Sequence, residues 1–269
     1  MKTFIVDSFT DQPFRGNPAG VCIVDGTLTD SEMLSIAQEL NLSETAFIWP
    51  RSEDRQIAIR YFSPKMEIPL CGHATLAAAR VVFRAFGYES AIFVTSTGVS
   101  LPVQASAEAI SMAFPIYETH PADAPPQLLA ALGIPSVRNA VFNHETRILL
   151  LEVADPKVLA NLSPDFPALL RSHDSINGVL VTAPSETDEY DFHSRYFWPW
   201  SGTDEDPVTG GTHTFLAKYW AQRLGKTKMK SYQCSKRAGS MEVELKSSQL
   251  EIRSQAVVVL EGRLTALEK

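Results

Sequence analysis

Apolar and polar positions alternate along most of the chain, in short runs divided by turn-forming residues. Phe4-Ile5-Val6-Asp7-Ser8-Phe9 and Val21-Cys22-Ile23-Val24 predict strands on either side of a loop rich in Gly, Asn and Pro, Thr10–Gly20. Thr29-Asp30-Ser31-Glu32 has the spacing of a capping box, and Met33, Ile36, Ala37 and Leu40 follow at helical intervals. Glu44 heads the apolar run Thr45-Ala46-Phe47-Ile48-Trp49, and Ile57–Phe62 alternates as a strand. After Cys71-Gly72-His73-Ala74-Thr75 comes an Ala-rich run to Phe86, stopped by Gly87. It is apolar nearly all round, which predicts a buried helix.

The second half follows the same logic. Leu128–Leu132 predicts a short helix, Arg147–Val153 and Gly178–Thr182 predict strands, and Thr212–Leu224 predicts a helix stopped by Gly225. Strands are expected at Ala91–Thr95, Ala109–Phe114, Lys230–Cys234, Met241–Leu245, Leu250–Ile252 and Val257–Leu260. The Pro-rich stretch Pro115–Pro126 reads as a linker. Gly72 to Gly87 and Gly210 to Gly225 span equal lengths, offset by 138 positions in a chain of 269 residues. Each pair brackets a helix set among strands. This pattern predicts an α+β chain of two pseudo-symmetric lobes, 1–116 and 117–269, with the last strand left free to return to the first lobe.

Composition narrows the function. The chain has 31 Asp and Glu against 24 Lys and Arg, a net charge of −7, and lacks a long basic run, which argues against a nucleic-acid partner. It has no apolar stretch of about 20 residues, so no membrane partner is expected. Three cysteines (Cys22, Cys71, Cys234) without CxxC spacing point to a reducing cytoplasm rather than a disulfide framework. The six histidines form no paired ligand spacing, and the glycine-rich nucleotide motifs are absent, so neither a metal nor a cofactor is expected.

A helix N-terminus carries unpaired N–H groups and partial positive charge. Two such ends, at Gly72 and Gly210, facing one another across a cleft would hold a small carboxylate without any Lys or Arg. Around them stand candidate acids and bases. Glu44, among apolar and small neighbours, is expected to be desolvated, which raises a carboxyl pKa. His73, in the first helical turn, is expected to have a lowered pKa and to donate or relay as a neutral ring. Cys71, just before the helix, is either a base with a lowered pKa or a small buried residue. Asp206 is either a turn former or a substrate-orienting acid, and Thr212 and His213 either contact a ligand or cap and pack the second helix.

Asp7-Ser8-Phe9-Thr10, Gly16-Asn17-Pro18-Ala19-Gly20, Leu42-Ser43-Glu44-Thr45-Ala46-Phe47, Arg60-Tyr61-Phe62-Ser63-Pro64, Cys71-Gly72-His73-Ala74-Thr75 and Glu205-Asp206-Pro207-Val208-Thr209-Gly210 together resemble the PhzF family of phenazine-biosynthesis-like proteins. The resemblance runs over nearly the whole chain. It implies a diaminopimelate epimerase-like fold, with a barrel-like sheet around a central helix in each lobe and an active site between the lobes. It also implies proton transfer without metal or cofactor, a small carboxylate-bearing substrate and a homodimer. The characterised family reaction isomerises a dihydro-hydroxyanthranilate, a glutamate moving the proton between carbons. Glu44 falls on that glutamate, and His73 and Asp206 match the family's other catalytic positions. Asn17, Ser43, Gly72, Gly210, Gly211 and Thr212 are the substrate-binding positions so implied. Gly211-Thr212 departs from the Ser-Ala usual there and lacks the hydroxyl expected at position 211. Two other readings remain: a cysteine-based racemase or epimerase using Cys71, and a catalytically altered binding or scaffold protein.

Overall fold

The computed structural model describes residues 1–50, 55–107 and 109–265. The chain forms two compact units. The first is Met1–Ala113 together with the chain from Glu251 onward; the second is Phe114–Leu250. The boundary expected at 116/117 thus falls slightly late, and the end of the expected second lobe belongs to the first unit. The last four residues of that expected lobe lie outside the described residues.

In the first half of the sequence the elements are β1 (Lys2–Ser8), β2 (Asn17–Ile23), α1 (Asp30–Leu40), β3 (Glu44–Pro50), β4 (Gln56–Phe62), β5 (Glu67–Ile68), α2 (Gly72–Phe86), β6 (Ser90–Thr95), β7 (Ser100–Ser106) and β8 (Ala109–Phe114). Then come β9 (His120–Pro121), α3 (Pro126–Leu132), β10 (Asn139–Asn143), β11 (Ile148–Glu152), α4 (Pro156–Ala160), α5 (Phe166–Arg171), β12 (Gly178–Pro184), β13 (Phe192–Trp198), β14 (Thr203–Asp206), α6 (His213–Leu224), β15 (Lys228–Gln233), β16 (Gly239–Leu245), β17 (Leu250–Ser254) and β18 (Ala256–Arg263). Among the described residues no helix is long and apolar enough to cross a membrane.

Strand pairing repeats between the halves. In the first, β1 pairs antiparallel with β2, β2 parallel with β3, β3 antiparallel with β4, β4 antiparallel with β5 and parallel with β6, and β6 antiparallel with β7. In the second, β10 to β16 pair in the same order and sense, with α6 inserted where α2 stands. The strands that close each unit are exchanged by sequence order. The last strand, β18, lies along β1, and β9 lies along β10. Pro115–Pro126 is therefore no linker. It contributes β9, and Tyr117 N–H donates to Thr214 O at 2.9 Å.

The registers make the equivalence residue by residue. Ala19↔Glu44 corresponds to Ile148↔Gly178, Thr45↔Phe62 to Val179↔Phe197, and Tyr61↔Ile68 to Tyr196↔Asp206. This places Arg60-Tyr61-Phe62 over Arg195-Tyr196-Phe197, an internal identity that the helix-bounding glycines do not reveal. In each copy the arginine makes a two-pronged ion pair to the next strand, Arg60 to Glu67 and Arg195 to Glu205. In each it also lies over its own phenylalanine ring, at 5.2 Å and 5.0 Å.

Each half buries one helix among its strands. Ala74 through Ala79, Val81 and Val82 of α2 are shielded, and the helix packs on β1, β2, β3 and β18. Small alanine faces let strands approach it on several sides, which is why a helix apolar all round belongs here. α6 buries His213 through Ala217, with Tyr219 and Trp220, and packs on β15 and β16. The one-turn helices α4 and α5 carry legible signals, Asp155 and Asp165 capping Lys157 N–H and Ala168 N–H with proline in the first turn. They join the parallel strands β11 and β12, a connection α1 makes between β2 and β3.

Candidate active site

Glu44 is the first residue of β3, next to a position where β2 has no room for a side chain. A Cβ on Gly20 of β2 would stand 2.7 Å from Thr45 Oγ1, so only glycine lets the parallel pair β2–β3 close beside Glu44. The carboxyl is 12% exposed and its Oε2 lies 3.0 Å from His73 Nε2, itself on an 11% exposed side chain. His73 is the second residue of α2. Its carbonyl accepts from Ser8 Oγ at 2.8 Å, which ties the first helical turn to β1. Cys71 precedes the helix, with Sγ 3.4 Å from His73 Nδ1. Thr75 Oγ1 donates back to Cys71 O at 2.7 Å, so Tyr61 OH donates to Thr75 Oγ1 at 2.6 Å. Ser43 Oγ is 3.3 Å from His73 Nε2, 3.4 Å from Pro18 O and 3.5 Å from Asn17 Oδ1. The first unit thus brings together Asn17, Ser43, Glu44, Gly72 and His73, with Cys71 among them.

Electrostatics in this group run against two sequence expectations and decide a third reading. Burial pushes the Glu44 carboxyl up, but the hydrogen bond and charge of His73, with help from Ser43 and Cys71, outweigh it and leave the pKa below the ordinary value. Burial pushes His73 down, but Cys71 and Glu44 outweigh it and hold the imidazole well above its ordinary value. The pair is therefore carboxylate and imidazolium, not a neutral histidine beside a protonated acid. Burial dominates at Cys71 and raises its thiol, which fits the small buried residue of the two sequence readings rather than the base with a lowered pKa. At Glu44 and His73 the partner that folding supplied outweighed the surroundings that the sequence suggested.

The second unit holds the remaining candidates. Asp206 closes β14 and accepts a short hydrogen bond from Thr209 Oγ1. Gln233 of β15 braces this turn, its Nε2 donating to Asp206 O at 2.7 Å and its Oε1 accepting from Thr209 N–H at 3.0 Å. From sequence, neither Thr209, though it stands in the Glu205–Gly210 motif, nor Gln233 carries this bracing role. Gln233 lies 27 positions beyond Asp206, and only the β13–β15 pairing brings it there. Gly210 and Gly211 stand ahead of α6 in a tight turn, His213 N–H donating to Gly210 O and Thr214 N–H to Gly211 O. A Cβ on Gly211 would meet nothing within 4 Å. Thr212 is buried and donates its hydroxyl to Thr209 O at 3.0 Å. His213 is fully buried between Thr209 O and Ser231 Oγ, and desolvation drives its pKa to about 4 despite backbone bonds to Thr209 and Gly210. It is a neutral packing residue.

Glu44, Cys71 and His73 each offer a ligand atom within 4.8 Å of the other two, but Cys71 Sγ lies on the Nδ1 side of the His73 ring and Glu44 on its Nε2 side, so the three do not converge on one metal position. As it stands, the first-unit group is a desolvated carboxylate hydrogen-bonded to a charged imidazole at the N-terminus of a helix.

A family model described as phenazine biosynthesis-like protein matches residues 6–262. An uncharacterized isomerase of Pseudomonas aeruginosa is 42% identical, the match covering 98% of this chain and 98% of that one. The crystal structure of a PhzF-family phenazine biosynthesis protein from Enterococcus faecalis superposes with a TM-score of 0.89 at 37% identity, covering 98% and 99% of the two chains. A probable proline racemase from Agrobacterium radiobacter shares the fold at a TM-score of 0.58 and 12% identity, covering 99% of this chain and 93% of that one. The fold is thus the α+β, diaminopimelate epimerase-like fold of two repeated lobes, and the chain belongs to the PhzF family of phenazine biosynthesis-like proteins.

Proposed function

We propose that this protein is an isomerase or epimerase that moves a proton on a small carboxylate-bearing metabolite, with Glu44 as the acid/base. The observation that carries this reading is the Glu44–His73 contact of 3.0 Å on two nearly closed-off side chains. As a carboxylate, Glu44 takes a proton from a carbon made acidic by conjugation. The C–H electrons pass into the substrate's unsaturated system, and the proton returns from Glu44 to a second carbon, so that nothing is gained or lost overall. His73 holds the carboxylate ionised until substrate arrives. When a substrate oxygen takes the imidazole's hydrogen bond, burial is left to raise the Glu44 pKa toward the working range. The N–H groups of Gly72 and His73 are proposed to hold the substrate carboxylate. Asp206 is proposed to orient the substrate's polar group. That assignment rests on its motif.

The relatives' isomerase name and the fold shared with a racemase support the reaction class. The cysteine-based reading is weaker. Racemisation with two bases needs one on each face of the carbon. Burial raises the Cys71 thiol, so it supplies little thiolate to serve as one of them. The test is solvent-deuterium incorporation into metabolites chosen by thermal-shift screening. Wild type is expected to exchange a carbon-bound proton, and Glu44→Gln to lose turnover by about 10²–10⁴-fold while keeping its fold. Full activity in Glu44→Gln rejects the role. Binding without exchange in wild type identifies a scaffold protein instead.

A further inference from the structure

The turn that carries Asp206 is gripped from outside by side chains that the proposed reaction does not use. Asp206 ends β14, and Pro207, which has no N–H, leads into Val208 and Thr209. Gln233, 1% exposed at the end of β15, donates from Nε2 to Asp206 O at 2.7 Å and accepts at Oε1 from Thr209 N–H at 3.0 Å. Ser235 Oγ donates to Pro207 O at 2.5 Å. Thr212 Oγ1 and His213 Nδ1 reach Thr209 O at 3.0 Å and 3.1 Å. A backbone N–H can only donate, so the Gln233 atom beside Thr209 N–H is the oxygen and the atom beside Asp206 O is the NH2 group. That NH2 group also lies 3.5 Å from Thr209 Oγ1. With the amide hydrogens on that side, the Thr209 hydroxyl proton is directed the other way, into its hydrogen bond with Asp206 Oδ2. In the first unit Ile59↔Thr95 is the equivalent of Ser194↔Gln233. Thr95 there serves its own turn, accepting from Val99 N–H at 3.1 Å, and Ile68 takes the place of Asp206. The brace thus goes with the carboxylate and is no part of the repeated scaffold.

We infer that Gln233 and Thr209 are positioning residues for Asp206: Gln233 shapes the turn and aims the Thr209 hydroxyl, and Thr209 fixes one oxygen of the carboxylate, so that Asp206 meets substrate in a single orientation. A carboxylate at a strand end otherwise turns about two side-chain bonds, and a charge-assisted hydrogen bond is the contact that holds it. Both residues act through Asp206, and neither gains or loses a proton. The kinetic half of this inference rests on the substrate-orienting reading of Asp206, whereas the hydrogen-bond half does not.

The full chain, isotopically labelled on threonine, reads the hydrogen bond by NMR without substrate. Wild type is expected to show a slowly exchanging Thr209 hydroxyl proton, identified by its absence in Thr209→Val. Its exchange should quicken at least about tenfold in Gln233→Met and in Asp206→Asn, because a hydrogen bond to a charged group is worth that factor or more. In Gln233→Glu the second carboxyl oxygen competes with Asp206 for the proton, so its resonance should shift; this variant decides the Gln233 part where Gln233→Met does not fold. Thermal unfolding checks that each variant is folded. A Thr209 hydroxyl that exchanges freely in wild type, or is unmoved in the folded Gln233 or Asp206 variants, overturns the assignment. With a metabolite that exchanges solvent deuterium in wild type, Thr209→Val should lower kcat/KM at least about tenfold, and Thr209→Ser should restore most of it. In an Asp206→Asn background the same Thr209→Val change should cost nothing further, since the two act as a unit. An equal loss in that background overturns the inference that Thr209 acts through Asp206. If the hydroxyl behaves as described but Asp206→Asn stays fully active, the hydrogen bond stands and the orienting role falls.

Discussion

The two halves of this chain share a strand order, an Arg-Tyr-Phe strand and a buried helix, yet each has kept different chemistry. Glu44 of the first half is matched by Gly178 in the second, His73 by Gly211, and Cys71 by Thr209. Asp206 of the second half is matched by Ile68 in the first. The repeated scaffold is held by residues that recur, while every acid, base and thiol of the candidate site occurs in one copy only. The cause is visible at Gly178. A Cβ there would stand 2.6 Å from the ring and hydroxyl of Tyr196. In the first half the equivalent Tyr61 turns its hydroxyl to Thr75, which leaves room for Glu44. Tyr196 and, at 2.8 Å, the Phe197 carbonyl together close the second copy's position to any side chain.

The sharpest way to separate scaffold from chemistry is to break the arginine pair in each copy. Arg195 is nearly buried, bonded to Glu205 and to the carbonyls of Leu159 and Leu162. Arg195→Met should lower unfolding free energy by about 3–5 kcal/mol, because Glu205 and the carbonyls lose their partner. Arg60 pairs with Asp30, a 79% exposed side chain, and with a 31% exposed Glu67. Arg60→Met should cost about 0–1 kcal/mol. Urea unfolding compares them, and equal losses would show that burial does not set the difference.

Gly178→Ala should cost about 1–3 kcal/mol by the same measurement, since the methyl group must displace Tyr196 or the Phe197 carbonyl. An unchanged midpoint would remove the argument that Tyr196 excludes a side chain.

The two helix-starting histidines should respond to pH in opposite directions. His73 has a raised folded pKa, so its contribution to stability is full below about 6.5 and is lost as pH rises through the folded value. Glu44, with a lowered folded pKa, contributes above about 4.3 and loses that contribution as pH falls. The pair is therefore most stabilising between these limits. His213, depressed to about 4, contributes fully above about 6.5 and loses its contribution as pH falls through that interval. Thermal unfolding against pH should show the His73→Gln difference shrinking toward alkaline pH and the His213→Gln difference shrinking toward acid. Parallel profiles would contradict the assigned protonation states.

The smallest effect is expected at Gly211, where the added side chain enters open space. Gly211→Ser should change stability by no more than about 0.5 kcal/mol. A larger loss would mean that this turn tolerates only glycine.

Much of this was legible in the residues. Helix-bounding Gly87 and Gly225, the capping box at Thr29 and the alternation of Ile57–Phe62 depend on local physics: φ > 0 at a helix end, side chains capping a first turn, and the two-residue period of a strand. The family motifs also named Glu44, His73 and Asp206. Short strands such as β9 and β14 were illegible, because their pairing depends on partners far along the chain. So were the braces Thr209 and Gln233.

The protonation states lay furthest from the sequence. A helix N-terminus next to His73 predicts a lowered pKa, and an apolar setting around Glu44 predicts a raised one. Folding set the two 3.0 Å apart and reversed both. Sequence alone determined the longer elements, the two glycine-bounded helices set among strands and the residue types available for chemistry, since each follows from neighbours within a few positions. Only the tertiary structure decided which strands close each unit, which copy has room for the carboxylate and which groups carry charge. Those outcomes depend on register, burial and distances of a few ångströms between residues remote in sequence.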